Sequence, residues 1–319
     1  MQTFLRPKGV LEIVDSAAYI LRRNLAPLML LGLYNQIPFA IMSVFLNPAE
    51  FIQVSSGNPL EFVKWMLLYF LLFFSIMGFW SPLLTMAQYH ASHSYVVGDR
   101  VSAGRSLDFG LKNYWKAFWT YALYGLVVGG AVFLANIGLF LFAVIGVSLG
   151  PVSIGFGFLV GLPLLLAVIG YPTIGFSLCM PALAVEGISG VEALKRAWQL
   201  AYGFREDNFE SKTWVRFILL SIIYGLIAAC LYVLGILPGG IIGYVWGETH
   251  DAGSKLPLGM RALAEVLALG FQVFISIFHT LIYYLLYLDI RVRYEAYDLQ
   301  LATQTPVETP ETPPPPEVS

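Results

Sequence analysis

Three short amphipathic segments, each carrying basic residues, run directly into long apolar segments and recur at near-regular intervals along the chain. They are Val10–Arg23, Val101–Lys116 and Val191–Arg205. Recurrence of one unit indicates a repeated architecture. An amphipathic segment before a long apolar one is typical of a helix at the membrane surface that leads into a transmembrane hairpin. The pattern predicts an all-α membrane protein with three interfacial elbow helices, each followed by two transmembrane helices, in a three-fold internal repeat.

The composition indicates lipid rather than water as the main solvent of the fold. Hydrophobic residues make up 58% of the chain and charged residues 12%, whereas a soluble domain carries about 25% charged residues. In a bilayer, apolar side chains can face outward. The net charge of −2 gives no basis for nucleic-acid binding. Cys179 and Cys230 lie in apolar runs without metal-ligand spacing, so we expect them to be small buried side chains.

Six segments of the chain satisfy the requirement of about 20 apolar residues for a helix that crosses a bilayer. Several exceed this minimum and contain Pro, so tilts or kinks are expected, with Pro82, Pro163 and Pro172 as kink points. The predicted spans are Leu25–Leu46, Phe62–His90, Tyr114–Gly146, Ile154–Val185, Trp214–Leu237 and Ala262–Leu288. They predict one membrane domain over residues 1–301 and a disordered, Pro-rich cytoplasmic tail over residues 302–319.

The distribution of basic residues predicts the orientation of these spans. Of the 18 Lys and Arg residues, all except Lys64, Lys255 and Arg261 fall on one side of the predicted topology. The excess of basic residues marks cytoplasmic loops. Both termini and the three elbow helices are therefore expected to be cytoplasmic, and an even number of spans agrees with this.

Each elbow segment has an apolar face at helical spacing, with basic residues opposite it. We expect the three helices to lie on the anionic cytoplasmic leaflet. The alternative is that they pack on the helix bundle. The predicted apolar faces consist of Val10, Ile13, Val14, Ala17 and Leu21 in the first segment, Leu107, Leu111, Tyr114 and Trp115 in the second, and Val191, Leu194, Trp198 and Ala201 in the third.

Three sequence blocks carry a likeness to a known family: Glu12–Met29, Pro181–Gly203 and Tyr287–Leu301. Together they resemble the membrane domain that precedes the catalytic domain in some bacterial glycerophosphodiester phosphodiesterases, and its stand-alone relatives of unknown function. The likeness covers residues 9 to 301. It implies a multi-pass protein of the bacterial inner membrane. We expect this chain to lack the family's soluble catalytic domain, so the resemblance implies the membrane architecture rather than phosphodiesterase activity.

Charged residues at the ends of the fourth and sixth spans are expected to form ion pairs. Asp289 and Arg293, and likewise Arg291 and Glu295, are four residues apart and oppositely charged. We expect solvated pairs that mark the end of the last span, and the alternative is a docking face for another cytoplasmic element. Glu186 is expected to pair with the elbow helix, through Lys195 or Arg196.

A polar stripe runs along one face of the sixth span. It consists of Gln272, Ser276, His279, Thr280 and Tyr283, and its expected partners on other spans are Asn35, Gln36 and Asn136. Hydrogen bonds between helices are the plain interpretation of such a stripe, and His279 is then structural. The alternative is a small polar cavity or a permeation path.

No residues are predicted to be catalytic, to bind a cofactor or to bind a metal. His90 and His93 are one turn apart, but two histidines without a third ligand make a poor metal site. The expected partners are the lipid bilayer, anionic lipids at the cytoplasmic face and another membrane protein, without nucleic acid. The Pro-rich tail is compatible with a Pro-binding module.

The absence of recognisable chemistry favours a non-catalytic scaffold or accessory subunit of the bacterial envelope. A transporter or channel for a small solute or lipid is the second interpretation, and an intramembrane enzyme is the third. The structure can discriminate between the first two. An open cavity lined by Asn35, Gln272 and His279 would favour transport, whereas a closed bundle would favour the scaffold.

Overall fold

The computed structural model describes residues 6–45, 59–149, 163, 167–203, 212–249 and 257–296. The predicted tail over residues 302–319 lies outside this part. The described residues form helices and no strand. The helices are α1 (Val10–Arg23), α2 (Leu25–Phe45), α3 (Pro59–Ser75), α4 (Ser81–Val97), α5 (Ala103–Lys112), α6 (Tyr114–Leu149), α7 (167–176), α8 (Cys179–Glu186), α9 (Val191–Tyr202), α10 (Thr213–Thr249) and α11 (Leu258–Glu295).

Six helical stretches of the described chain are long and apolar enough to cross a membrane. They are Leu25–Val44, Met66–Val97, Tyr114–Gly138, Ala167–Glu186, Thr213–Trp246 and Leu258–Glu295. Each overlaps one predicted span, and the predicted class of all-α multi-pass membrane protein is confirmed. The second and sixth stretches extend beyond the predicted ends because their last turns, although more polar, remain buried against neighbouring helices.

The second span contains an irregular turn at the predicted kink point. Helices α3 and α4 are joined without a break by a π-helical turn over Ile76–Trp80. Pro82 follows this turn directly. Because proline has no N–H to donate to the carbonyl four residues earlier, regular α-helical bonding is disrupted at this point. The indole Nε1 of Trp80 donates a hydrogen bond of 2.8 Å to the carbonyl of Tyr34, which ties the turn to α2.

The three predicted elbow segments are helices, and the order of one short helix and two spans occurs three times in the chain. The apolar face of α1 packs inside the protein, where Ile13, Ala17 and Ile20 are fully buried. Helix α9 likewise buries Ala197 and Leu200. The apolar faces of α1 and α9 are therefore covered mainly by the helix bundle, as in the alternative interpretation of these segments.

Helix α5 requires a correction to the predicted face. Leu111 and Trp115 are 59% and 64% exposed, whereas Ser106 and Gly110 are buried. The physical reason is the close approach of α5 to α4, where a Cβ atom added at Gly110 would lie 2.6 Å from the carbonyl oxygen of Leu83. Small residues make the closest contact here, Leu107 packs partly against the core, and Leu111 and Trp115 point away from the bundle. Val191, at the start of α9, is also exposed rather than packed.

Helix α11 forms the centre of the bundle and contacts α1, α2, α4, α8 and α10. Tyr284 and Tyr287 are among its fully buried side chains. Its approach to α2 is also close, because a Cβ atom added at Gly32 would lie 2.6 Å from Cδ1 of Ile277. The polar stripe predicted on this helix therefore faces the interior of the protein.

Candidate functional site

A cavity of about 700 Å³ lies inside the bundle and is lined by residues from all six spans. Every member of the predicted stripe on α11 lines it, namely Gln272, Ser276, His279, Thr280 and Tyr283. Asn35 and Gln36 line it from α2. The structure thus brings together seven of the eight residues that the sequence connected.

Asn136 is the exception. It is exposed, and its Nδ2 donates a hydrogen bond of 2.8 Å to the carbonyl of Val132 on its own helix. The predicted partnership of Asn136 with the stripe is therefore wrong. An Asn side chain can satisfy a donor within its own helix, so its presence in a span did not require a partner on another helix.

Two hydrogen bonds cross the cavity wall between helices. Thr280 Oγ1 donates to Gln88 Oε1 over 2.9 Å, and Asn35 Nδ2 donates to Ser276 Oγ over 3.4 Å. Both amides are left with one buried atom, Gln88 Nε2 and Asn35 Oδ1, that has no hydrogen-bond partner among the described residues. Buried polar groups are normally satisfied. Asn35 and Gln88 therefore each contribute one unsatisfied polar atom, buried within the wall of the cavity.

The contacts of His279 differ from those expected of a residue that joins helices by hydrogen bonds. Its ring centroid lies 5.0 Å from that of Tyr224 and 4.3 Å from that of Tyr283. The imidazole makes no hydrogen bond within the part of the chain that the structure describes. Both ring nitrogens are therefore free to serve an occupant of the cavity.

Tyrosine is the main component of the cavity that sequence reasoning missed. Tyr89, Tyr121, Tyr124 and Tyr232 line it together with Tyr224 and Tyr283. Gln88, on α4, was missed as well. The sequence did contain a signal for these tyrosines. Tyrosines in spans are expected mainly at the headgroup level, whereas several of these lie well inside their apolar segments.

A second cavity of about 220 Å³ lies between α10 and α11. It shares Tyr232, Gln272 and Ile275 with the first cavity, so the two are adjacent. Gly235 and Glu265 are among its other lining residues. Glu265 lies within the sixth span, and sequence reasoning gave it no role.

A buried ion cluster joins the N-terminal segment to the ends of two spans. Asp289 accepts hydrogen bonds from the backbone N–H of Lys8 over 2.6 Å, from Arg293 Nε over 3.0 Å and from Arg216 Nη1. The carbonyl of Lys8 accepts from Arg216 Nη2 and, over 2.7 Å, from Arg293 Nη2. We call these four residues the strap cluster, since residues preceding α1 cross the ends of α10 and α11.

The ammonium group of Lys8 has its hydrogen-bond partner on α1. It donates a hydrogen bond of 2.7 Å to Ser16 Oγ. Burial and the charge of Arg6 lower the pKa of Lys8 from its ordinary value, and Glu12 and Asp289 offset this only in part. The hydrogen bonds of Lys8 to Asp289, Arg216 and Arg293 are therefore made by its backbone, while its ammonium charge is attracted to Asp289.

A second cluster holds elbow helix α9. Arg196 binds Glu186 through Nε at 3.0 Å and Glu295 through Nη2 at 2.6 Å. Arg291 Nε binds Glu295 at 2.9 Å, and the Tyr287 hydroxyl donates to Glu186 at 2.5 Å. Burial lowers the pKa of Arg196, but its bonds to Glu295 and Glu186 outweigh burial and raise that pKa above its ordinary value. We call these five residues the elbow cluster.

The two clusters decide between the interpretations of the charged residues. The predicted pairs Asp289–Arg293 and Arg291–Glu295 exist, but Asp289 and Arg291 are buried rather than solvated. That expectation of solvated pairs is therefore wrong. The residues that bind these charged groups from other parts of the structure, Lys8, Arg196 and Arg216, belong to the same chain. The predicted pair of Glu186 with Arg196 is confirmed.

The histidines of α4 have separate partners. His90 Nδ1 lies 3.2 Å from Ser106 Oγ, and its ring stacks on Phe109. His93 Nδ1 lies 2.8 Å from the hydroxyl of Tyr284. Among the described residues, no group of three or more His, Cys, Asp or Glu side chains is placed to hold a metal ion.

Comparison with known proteins gives no family for the chain. No family model matches it, and no curated protein and no solved structure is similar enough to count as a match. The resemblance to the membrane domain of bacterial glycerophosphodiester phosphodiesterases therefore stays a prediction. The membrane and multi-pass character rests on the six apolar helices.

Proposed function

We propose that the protein carries a small solute or lipid molecule through the membrane by way of the internal cavity. The observation that supports this proposal is a cavity of about 700 Å³ lined by Asn35, Gln272 and His279, the arrangement expected of a transporter rather than a closed scaffold. Ligand sites typically have volumes of about 300–1,000 Å³, with a few polar groups that fix orientation. Gln272, Ser276 and His279 supply polar groups to the lining.

The scaffold interpretation is weakened by the internal use of its proposed docking residues. Asp289, Arg291 and Arg293 were the candidates for binding another protein, and they bind Lys8, Glu186 and other residues of the same chain. Among the described residues of this helix end, Asp289 and Arg291 are therefore buried and offer little charged surface to another protein. A scaffold would instead need the exposed faces of the elbow helices.

The transport proposal is tested by asking whether water reaches the cavity. Ser276, which lines it, is replaced by Cys in a variant that lacks Cys179 and Cys230. Leu226→Cys, on the exposed outer face of α10, is the matched control. The Ser276→Cys thiol is expected to react with a membrane-impermeant methanethiosulfonate reagent, because the thiolate forms only where water can enter.

Access from both sides of the membrane distinguishes a pathway from a closed pocket. We expect labelling of Ser276→Cys from either face of sealed vesicles, and no labelling of Leu226→Cys from either face. An unreactive Ser276→Cys in a folded protein would exclude a water-accessible path and return the scaffold to first place. Stoichiometric co-purification of one protein from native membranes would likewise favour the scaffold interpretation.

We further propose that the chain resides in a bacterial inner membrane with both termini in the cytoplasm and with α1, α5 and α9 near the anionic leaflet. The distribution of Lys and Arg supports this orientation. The strap and elbow clusters support a common side for the N-terminal segment, α9 and the end of α11.

The orientation predicts opposite signals from two reporter fusions. A fusion after Ser319 should be active as a cytoplasmic reporter and inactive as a periplasmic one. An insertion beside Lys255 should behave in the reverse way, because Lys255 lies on the side with few basic residues. Periplasmic activity of the C-terminal fusion would overturn the proposed topology.

A further inference from the structure

We propose that the cavity takes a lipophilic monocation, such as an organic amine or quaternary ammonium ion, and that Glu265 recognises its charge. The inference rests on the proposed function and names the substrate class of the same site. It depends on four features of the described residues: the charge of the lining, the continuity of the two cavities, the tyrosine rings and the position of the smaller cavity at the lipid-facing surface.

Glu265 supplies the formal charge of the lining. Among the described residues that line the two cavities, it is the one Asp, Glu, Lys or Arg. Its carboxylate makes no ion pair or hydrogen bond within the described part of the chain, and Arg261, one turn away, lines neither cavity. An ionisable side chain inside a span is costly and usually serves a charged substrate or ion. A carboxylate without lining bases selects a cation.

The carboxylate is connected to the main cavity along one helix face. Glu265, Gln272 and His279 are seven residues apart, which places them on the same side of α11. Gln272 lines both cavities. A molecule whose charge lies beside Glu265 can therefore extend its body into the larger cavity.

The aromatic lining suits a cationic body. The rings of Tyr89, Tyr121, Tyr124, Tyr224, Tyr232 and Tyr283 line the main cavity. The faces of aromatic rings attract cations, by about 0.5–2 kcal/mol for each well-placed contact. An anion would find no Lys or Arg among the described lining residues.

The smaller cavity reaches the lipid-facing surface of the bundle. Two of its lining residues, Tyr232 and Ile236, are 58% and 51% exposed. Gly235 and Gly239 line this cavity from α10 without side chains that would fill it. This position favours an amphiphile that enters sideways from the bilayer over a strongly hydrated ion that arrives from water.

The charge preference is tested with two ions of the same shape and opposite sign. Purified protein in nanodiscs of neutral lipid is equilibrated with radiolabelled tetraphenylphosphonium or with tetraphenylborate, and binding to empty nanodiscs is subtracted. We expect saturable binding of the cation and at least about tenfold weaker binding of the anion. Equal binding of both ions would overturn the cation inference and leave the transport proposal standing.

The role of Glu265 is tested with Glu265→Gln, which keeps the shape of the side chain and removes its charge. The cation affinity should fall about tenfold, and that of the anion should not fall. Glu192→Gln, on the exposed surface of α9, should change neither. If Glu265→Gln fails to fold, Tyr232→Leu at an exposed position should weaken cation binding selectively.

Unchanged cation affinity in folded Glu265→Gln would overturn the recognition role. Binding of neither ion by the wild type would overturn the inference as a whole. The transport proposal is judged separately, by the reactivity of Ser276→Cys, so the two can fail independently.

Discussion

Replacement of Asp289 by Asn is expected to destabilise the protein by about 3–5 kcal/mol, because removal of one partner leaves a buried charge uncompensated. The side chains of Asp289 and Arg216 are 1% and 4% exposed. In the variant, the Asn Nδ2 would direct a donor towards the donors of Arg216 or Arg293. A loss of this size is a large fraction of the total stability of a folded protein, about 5–15 kcal/mol.

The control for Asp289→Asn is the same substitution in an exposed ion pair between an aspartate and a basic residue. Asp108 and Lys112 lie four residues apart on α5 at 2.7 Å, and both side chains are mostly exposed. Asp108→Asn should cost no more than about 0.5 kcal/mol. Thermal unfolding of both variants in the same detergent, followed by tryptophan fluorescence, gives the difference. Equal midpoints would mean that the strap cluster does not stabilise the fold.

The strap cluster also shows the limit of sequence reasoning about charges. The spacing of Asp289 and Arg293 correctly predicts that they pair, because both lie on one helix. The burial of Asp289 depends on Lys8, which is 281 positions away in the chain. No local pattern encodes a contact of that range. The hydropathy of the last turn of α11 indicated solvent, whereas the chain's own N-terminal segment covers it.

Some of the residues that line the cavity could likewise be predicted from the sequence, and others could not. Helical spacing on α11 placed Gln272, Ser276 and His279 on one face, and they line the cavity together. Periodicity identifies the face of one helix, but it does not identify the residues opposite. Gln88 and the tyrosines of α6 and α10 were therefore missed, and Asn136 was wrongly included. The mutual position of six spans depends on close approaches between helices, such as that at Gly32.

The elbow helices illustrate why the type of element was predicted more reliably than its packed face. The amphipathic pattern gave the location of all three helices. On α5 Leu111 nevertheless faces outward, and Gly110 makes the closest approach to α4. In lipid, helix packing is driven by close contact between small residues rather than by withdrawal of apolar surface from water. A hydrophobic stripe is consequently a weaker guide to the packed face in a membrane than in a soluble protein.

Gly110→Ala is expected to destabilise the protein by about 1–3 kcal/mol through overpacking between α4 and α5. The new methyl group would lie 2.6 Å from the carbonyl oxygen of Leu83 and 3.5 Å from Cβ of Ala87. A backbone carbonyl cannot rotate away as a side chain can, so the two helices must separate.

Gly104→Ala on the same helix is the matched control, because the nearest atom to its new methyl group is Ser102 Oγ at 4.0 Å. That substitution should stabilise the helix by up to about 1 kcal/mol, since alanine is the better helix former. The two alanine variants should therefore shift the thermal midpoint in opposite directions, and a stabilising Gly110→Ala would mean that α5 does not pack on α4 through this face.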